Sequence, residues 1–112
     1  MKTTHTATIA ALFIIPILFL SCIQGGGAIP RTSAGEEGFV AHCRVCHAKG
    51  GNVLNRAKAL RHADLVKNGI TTAADIVRKM RNPGPKMTKF DESVIPDKTA
   101  YAIADYVLET FK

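Results

Sequence analysis

One short run of residues combines two thiols and an imidazole at a fixed spacing: Cys43-Arg44-Val45-Cys46-His47. Cys-x-x-Cys-His is the attachment signature of c-type haem. On one helical turn, the two thiols can add across the two vinyl groups of a porphyrin, and the adjacent imidazole then lies under the iron as an axial ligand. The motif therefore predicts one covalent haem c attached to Cys43 and Cys46, with His47 as an iron ligand.

Three other kinds of site use the same residue types. A thioredoxin-like redox pair begins at a helix amino terminus after a strand, and no strand is predicted before Cys43. A structural zinc site needs four ligands, and only His42 or His62 could complete the set, neither at a usual spacing. A disulfide between Cys43 and Cys46 is the third alternative. We favour haem because the complete motif rarely arises by chance.

The second axial ligand would decide what such an iron does, because a second protein ligand suits electron transfer and an open position suits gas or oxygen chemistry. Met87 is the best candidate. It lies forty residues after His47 and follows a loop that contains Pro83 and Pro85. Such a loop can present a weak thioether ligand without a large cost in ordering.

The other candidate ligands are less suitable. Met80 shares a predicted helical face with Ile76 and Val77, where a methionine is more often part of the core. His62 lies in a polar stretch and is expected to be solvated. His42 directly precedes the motif, and the direction of the helix is expected to point it away from the ring.

The amino-terminal segment predicts export. Residues 9–20 form an uncharged apolar run that follows Lys2 and is shorter than the about 20 residues a membrane span needs. Residues 1–21 fit a signal peptide. Its end, Leu-Phe-Leu-Ser before Cys22, resembles a bacterial lipoprotein box. We predict that Cys22 is acylated and anchors the protein to a membrane; the alternatives are plain cleavage with a spare thiol and an uncleaved anchor.

Composition restricts the rest of the chain. The 112 residues are 46% hydrophobic and 21% charged, which favours one globular domain over disorder. Residues 22–34 contain three consecutive glycines and are expected to form a flexible linker, followed by a domain at 35–112.

The formal charge of +6 becomes +5 without Lys2, which favours docking to other redox proteins over binding nucleic acid. We expect a monomer.

The elements that must position these residues are helices. The first is expected to begin at Ser33 as its cap and to continue through His47, and residues 55–67 are expected to form the second. Thr72 with Asp75 predicts the start of the third, and the Asn-Pro-Gly-Pro sequence at 82–85 ends it. The fourth begins near Pro96 and carries an apolar stripe: Ala100, Ile103, Ala104, Val107, Leu108 and Phe111. No segment shows sustained period-two alternation, so we predict an all-α domain of about four short helices around one haem.

Several further features accompany the haem motif: Gly38-Phe39, Gly50-Gly51-Asn52, Asn68-Gly69-Ile70, the Arg-Asn-Pro-Gly-Pro run at 81–85, Met87, Phe90, Ile103 and Tyr106-Val107. With them, residues 35–112 resemble class I c-type cytochromes, most closely the small monohaem outer-membrane lipoprotein cytochromes of metal-respiring bacteria (OmcF type). The ligand loop of that family usually reads Met-Pro-Ala-Phe, whereas this chain reads Met-Thr-Lys-Phe from Met87.

The resemblance implies a cytochrome c fold in which the first and last helices cross, with Gly38 allowing close approach and Phe39 and Tyr106 packing nearby. It also implies an electron carrier rather than an enzyme, attached to the outer membrane of a bacterium. Such a carrier would serve a respiratory chain that ends on extracellular or metal acceptors, and its partners could be acidic multihaem cytochromes.

Two further expectations concern the surroundings of the predicted ligand loop. Lys79, Arg81, Lys86 and Lys89 flank it and are expected to form a basic ring that attracts acidic redox partners. The alternative function is a haem-based redox or gas sensor, a regulatory lipoprotein in which Met87 leaves the iron. A small peroxidase is less well supported because the sequence offers no distal base.

Overall fold

The computed structural model describes residues 31–112, and every regular element in this range is helical. The all-α prediction is confirmed. The α-helices are α1 (Arg31–His42), α2 (Arg44–His47), α3 (His62–Lys67), α4 (Ala73–Arg81) and α5 (Asp97–Thr110), with 3-10 turns at Ala48–Gly50 and Arg56–Lys58. The predicted signal peptide, Cys22 and residues 22–30 of the predicted linker lie outside the described residues. Within 31–112, no helix has the length and apolar character that crossing a membrane requires.

Helices α1 and α5 pack together at two glycines of α1. A Cβ atom on Gly35 would lie 2.2 Å from the carbonyl oxygen of Ala102, and one on Gly38 would lie 2.8 Å from the side chain of Ile103. Larger residues would therefore push the helices apart. The expected close approach of the first and last helices at Gly38 is confirmed, and Gly35 contributes to it as well.

The boundaries of the first helix differ from the prediction. α1 begins at Arg31, so Ser33 lies within its first turn and residues 31–34 are helical instead of linker. α1 also ends at His42, because Cys43 starts a separate turn: its carbonyl accepts from the amides of Cys46 at 3.2 Å and His47 at 2.9 Å. The last four residues of the haem motif therefore form a separate one-turn helix, α2, which Cys43 directly precedes.

The prediction of one helix over residues 55–67 is wrong. Residues 56–58 form a 3-10 turn, Ala59 and Arg61 are extended, and only His62–Lys67 is α-helical. The amide of Leu60 donates to the carbonyl of Gly50 at 2.7 Å, and Ala59 is buried. These tertiary contacts outweigh the modest helix propensity of the segment.

The last two helices agree with the sequence. The hydroxyl of Thr72 accepts from the Asp75 amide, and the Asp75 carboxylate accepts from the Thr72 amide, which completes the capping box. α4 buries its predicted apolar face and ends just before Asn82. α5 buries Ala100, Ile103, Ala104 and Val107 as expected, and also Ala102, which faces Gly35.

Candidate functional site

A cavity of about 380 Å³ lies between α1, α4, α5 and the loops at 51–60 and 82–89. Its wall contains apolar side chains that are otherwise buried in the core: Phe39, Leu65, Ile76, Met80, Ile103 and Val107. A mostly apolar cavity with a few polar groups at its edge is typical of a cofactor site.

Only one of the two cysteines of the motif lines this cavity. Cys43 is half-buried and is part of the lining, whereas Cys46, which is also half-buried, is not. Both are free thiols in the structure. Burial raises the pKa of the Cys43 thiol to about 11, so this thiol is protonated at neutral pH.

The imidazole of His47 also lines the cavity, and a hydrogen bond fixes its orientation. Its Nδ1 atom lies 2.8 Å from the carbonyl oxygen of Gly51. A carbonyl can only accept, so Nδ1 carries a hydrogen, and in the neutral imidazole Nε2 then keeps its lone pair. A ring held in this way has the tautomer that metal ligation through Nε2 requires.

The Gly51 carbonyl is positioned by an unusual turn. Lys49 and Gly50 both have positive φ angles, 52° and 72°. A Cβ atom on Gly50 would lie 2.7 Å from the Phe111 ring, so only glycine fits at this position without displacing the ring. The amide of Gly51 then donates to the carbonyl of Ala48 at 2.9 Å. The Lys-Gly-Gly sequence at 49–51 thus positions the carbonyl group that accepts the hydrogen bond from His47.

Met87 reaches the cavity from the loop at 82–89 and is 38% exposed. Lys86, directly before it, has a φ angle of 70°. The loop is closed at its base, because the amide of Phe90 donates to the carbonyl of Met80 at 2.9 Å. The structure therefore brings Met87 to the same cavity as Cys43 and His47.

The rival ligands have different surroundings. Met80 is buried in the core, as predicted, but its side chain also forms part of the cavity wall. The ring of His42 lies 6.0 Å from that of Phe90, and neither it nor the exposed His62 lines the cavity. Within residues 31–112, no group of three or more His, Cys, Asp and Glu side chains is arranged to hold a metal ion.

The predicted basic ring around the ligand loop is only partly present. Arg81 faces inward, because its guanidinium donates to the carbonyls of Phe90 and Ile95, and Lys89 pairs with Asp91 at 3.1 Å. Lys79 and Lys86 do line the cavity.

Sequence reasoning missed Lys58, which also lines the cavity and donates to the Asn68 side chain at 2.7 Å. It also missed the role of Asn52, whose Oδ1 accepts from the amides of Leu54 and Asn55 at 3.0 Å. Its position directly after two glycines was the available signal, since asparagine favours such turns.

Comparison with known proteins identifies this arrangement. The family model for "Cytochrome C oxidase, cbb3-type, subunit III" matches residues 30–107. The chain belongs to this family of class I c-type cytochromes. Cytochrome c6 of Gloeothece citriformis is 32% identical over 97% of this chain and 94% of its own length. Cytochrome c6 of Leptolyngbya boryana is 36% identical over 69% of this chain and 89% of its own length.

Solved structures agree with this cytochrome assignment. OmcF, an outer membrane cytochrome from Geobacter sulfurreducens, is 42% identical, with a TM-score of 0.68 over 70% of this chain and 99% of its own. Cytochrome c6 from the diatom Phaeodactylum tricornutum is 31% identical, with a TM-score of 0.63 over 70% of this chain and 91% of its own. The chain is therefore a monohaem c-type cytochrome, an electron carrier with one covalently bound haem c. The resemblance inferred from the sequence motifs is confirmed.

Proposed function

We propose that this cytochrome is a lipid-anchored electron carrier of the bacterial cell envelope, with haem attached to Cys43 and Cys46 and ligated by His47 and Met87. The observation that carries the ligand assignment is the 2.8 Å contact between His47 Nδ1 and the Gly51 carbonyl. This contact leaves the lone pair of Nε2 available to bind iron, and His47 lines the cavity. When bound, haem supplies an iron that accepts and releases one electron.

The chain's own residues suit this cofactor. Two thiols for attachment, one imidazole nitrogen and one thioether sulfur form the donor set of a haem c with two protein ligands. The apolar cavity wall excludes water, and together with a thioether ligand it favours the reduced state of the iron, so we expect a positive reduction potential.

Met87 is a better second ligand than Met80, although both side chains border the cavity. Met80 is only 4% exposed and packs within the core on α4, so moving its sulfur would disturb the core. Met87 sits on a loop that is tied at its base, and its sulfur can approach the iron without repacking a helix.

The location rests on the amino-terminal sequence. The signal-like segment at 1–21 and the lipoprotein-like sequence at Cys22 support export and acylation. The likeness to OmcF, an outer membrane cytochrome, supports an anchor on that membrane. We further propose a place in a respiratory chain that delivers electrons to extracellular or metal acceptors, with other redox proteins, including acidic multihaem cytochromes, as partners.

Optical spectroscopy of the haem-loaded protein tests the ligands. Oxidised protein should show a weak far-red charge-transfer band that disappears in Met87→Leu and persists in the matched variant Met80→Leu. Loss of the band in Met80→Leu alone would reverse the assignment. Rapid carbon monoxide binding to the reduced wild-type protein would instead support a haem-based sensor. Incorporation of a labelled fatty acid that is lost in Cys22→Ala tests the anchor separately.

A further inference from the structure

The side chain of Phe111 lies against the turn that carries the hydrogen-bond partner of His47. Phe111 directly follows the last residue of α5, and its amide donates to the carbonyl of Val107 at 3.1 Å. A Cβ atom on Gly50, the buried residue of the turn, would lie 2.7 Å from two ring atoms of Phe111 and 3.1 Å from its Cβ. The ring is therefore in van der Waals contact with the Gly50 backbone, and the end of α5 closes one side of the turn.

Two other aromatic rings hold the Phe111 ring in place. Its centroid lies 5.4 Å from that of Phe39 and 6.0 Å from that of Tyr106, and the Phe39 and Tyr106 centroids are 5.4 Å apart. Phe39 is buried and also lines the haem cavity. Tilted and edge-on ring pairs at these separations are favourable contacts. The ring that touches Gly50 therefore cannot move without disturbing a packed cluster of three rings.

Main-chain hydrogen bonds connect both partners of this contact to one short segment. The carbonyl of Phe111 accepts from the amide of His62 at 2.8 Å, and the carbonyl of Gly50 accepts from the amide of Leu60 at 2.7 Å. Residues 60–62 thus bridge the end of α5 and the turn. The Gly50 backbone is held on one side by the Phe111 ring and at its carbonyl by Leu60.

The contact reaches His47 through the next peptide. The Gly50 carbonyl belongs to the same peptide unit as the amide of Gly51, which donates to the carbonyl of Ala48 at 2.9 Å. The next carbonyl, that of Gly51, lies 2.8 Å from His47 Nδ1. Gly50 has a left-handed backbone, with a φ angle of 72°, and glycine adopts other conformations as readily. Without the ring, Gly50 could leave this conformation and carry the Gly51 carbonyl away from the imidazole.

We propose that Phe111 is a positioning residue for the axial ligand His47, acting through Gly50 and the Gly51 carbonyl. The inference rests on the proposed function, in which His47 Nε2 binds the haem iron. A hydrogen bond at Nδ1 fixes the plane of a ligating imidazole and makes it a stronger ligand, and a stronger imidazole ligand stabilises oxidised iron. Phe111 therefore helps to set both the orientation of the ligand and the reduction potential.

Hydrogen exchange of the His47 Nδ1 proton, followed by NMR in the reduced haem-loaded protein, tests this role. In Phe111→Ala the proton should exchange about tenfold faster or more, because the Gly51 carbonyl is no longer held, and the reduction potential should rise. Phe111→Leu keeps a Cβ, a Cγ and a Cδ1 atom, which are the atoms nearest to Gly50. It should recover most of the protection and most of the potential, although the ring contacts are lost.

Leu108→Ala is the matched control. Leu108 also lies on α5, is half-buried and packs against the same core, so its truncation costs packing and leaves the Phe111 ring on Gly50. The amide of Ile103, a fully buried residue of α5, reports global opening in every variant. Relative to that amide, Leu108→Ala should leave exchange at His47 Nδ1 within about twofold of wild type and the potential unchanged.

Equal acceleration in Phe111→Ala and Leu108→Ala would overturn the proposal, because lost packing alone would then explain it. Fast exchange in Phe111→Leu as well would also overturn it, since the contact with Gly50 would not be what holds the carbonyl. Gly50→Ala, which pushes a methyl group into the Phe111 ring, displaces the turn by a second route and should speed exchange too; unchanged exchange there counts equally against the proposal.

Failure of the proposed function gives a different result. If His47 did not bind the iron, the reduced wild-type protein would lack the ring-current-shifted resonances of an imidazole bound to haem, before any variant was compared. If those resonances are present and Phe111→Ala leaves both the exchange of the Nδ1 proton and the potential unchanged, His47 is the ligand and Phe111 does not position it.

Discussion

The guanidinium of Arg81 donates to the main-chain carbonyl of Phe90 at 2.7 Å. The same side chain donates to the carbonyl of Ile95 at 2.9 Å and to the carboxylate of Asp97 at 2.6 Å. Because the Phe90 amide also bonds the Met80 carbonyl, one arginine holds the base of the Met87 loop to the end of α4 and the start of α5. The sequence alone suggested that the charge of Arg81 was available for docking a partner, but the guanidinium instead forms hydrogen bonds within the fold.

Replacing Arg81 with alanine should loosen the Met87 loop. We expect Arg81→Ala to lower the free energy of unfolding by about 2–3 kcal/mol, since charge-assisted hydrogen bonds to two carbonyls are lost. Imidazole should also bind the oxidised haem protein more tightly, because a looser loop is displaced more easily. Denaturation and an absorbance titration with imidazole measure the two effects.

Arg78→Ala is the matched control for this change. Arg78 lies on the same helix and also pairs with an aspartate, but its side chain is 64% exposed. It should cost less than about 1 kcal/mol and leave imidazole binding unchanged. Arg81→Lys should recover part of the lost stability. Imidazole affinities that do not differ between Arg81→Ala and Arg78→Ala would exclude a role for Arg81 in holding the loop.

Helix α4 could be predicted almost completely, and the 55–67 segment could not. The start of α4 depends on Thr72 and Asp75, three residues apart, and its end depends on the Asn-Pro pair that follows Arg81, so local sequence contains the whole signal. The break before α3 depends on the bond between the Leu60 amide and the Gly50 carbonyl. Because Leu60 and Gly50 are ten residues apart, no local sequence pattern predicts the hydrogen bond between them.

Some residues of the candidate site could likewise be predicted from the sequence, and others could not. Cys43, His47 and Met87 could be identified because residue type and spacing indicate their chemistry, and the structure places all three around one cavity. The bond from His47 to Gly51 could not be foreseen, since it requires left-handed backbone at Lys49 and Gly50.

The packing of α1 against α5 predicts a sharp effect at Gly35. In Gly35→Ala the new methyl group would meet the Ala102 carbonyl oxygen at 2.2 Å, and backbone cannot move aside as a side chain can. We expect a loss of about 2 kcal/mol or more in the free energy of unfolding, by overpacking. Glu37→Ala, at an exposed position of the same helix, should change stability by less than about 0.5 kcal/mol. Chemical denaturation of the haem-loaded proteins measures both, and equal stabilities would contradict close packing at Gly35.

The cap of α4 predicts a dependence of stability on acid. The Thr71 amide, the Thr72 hydroxyl, the Arg78 guanidinium and the Thr72 amide all donate to the Asp75 carboxylate, and together they hold the pKa of that carboxyl well below its usual range. A carboxyl whose pKa falls on folding stabilises the protein above its unfolded value, and this contribution is lost as the pH falls below about 4.

Asp75→Asn should therefore lower stability at neutral pH and flatten the loss of stability below about pH 4. Thermal unfolding of both proteins between pH 7 and pH 2 measures this difference. Asp91→Asn, which removes only a surface ion pair with Lys89, should cost little at pH 7. If the stability curves of Asp75→Asn and wild type stayed parallel throughout the acid range, the cap would not be the source of the pH dependence.

Asn68 connects the loop at 55–58 to the end of α3 and so supports one wall of the cavity. Its Nδ2 donates to the carbonyls of Ala57 at 2.8 Å and Asp64 at 2.7 Å, and its Oδ1 accepts from Lys58. Asn68→Ala should lose about 2 kcal/mol of stability, since each such bond contributes about 1 kcal/mol, and should speed hydrogen exchange at the Ala57 and Lys58 amides. Asn82→Ala is the control, because the Asn82 side chain forms no hydrogen bond with any residue in 31–112. Unchanged exchange in Asn68→Ala would mean that the loop is held by its own 3-10 turn and not by Asn68.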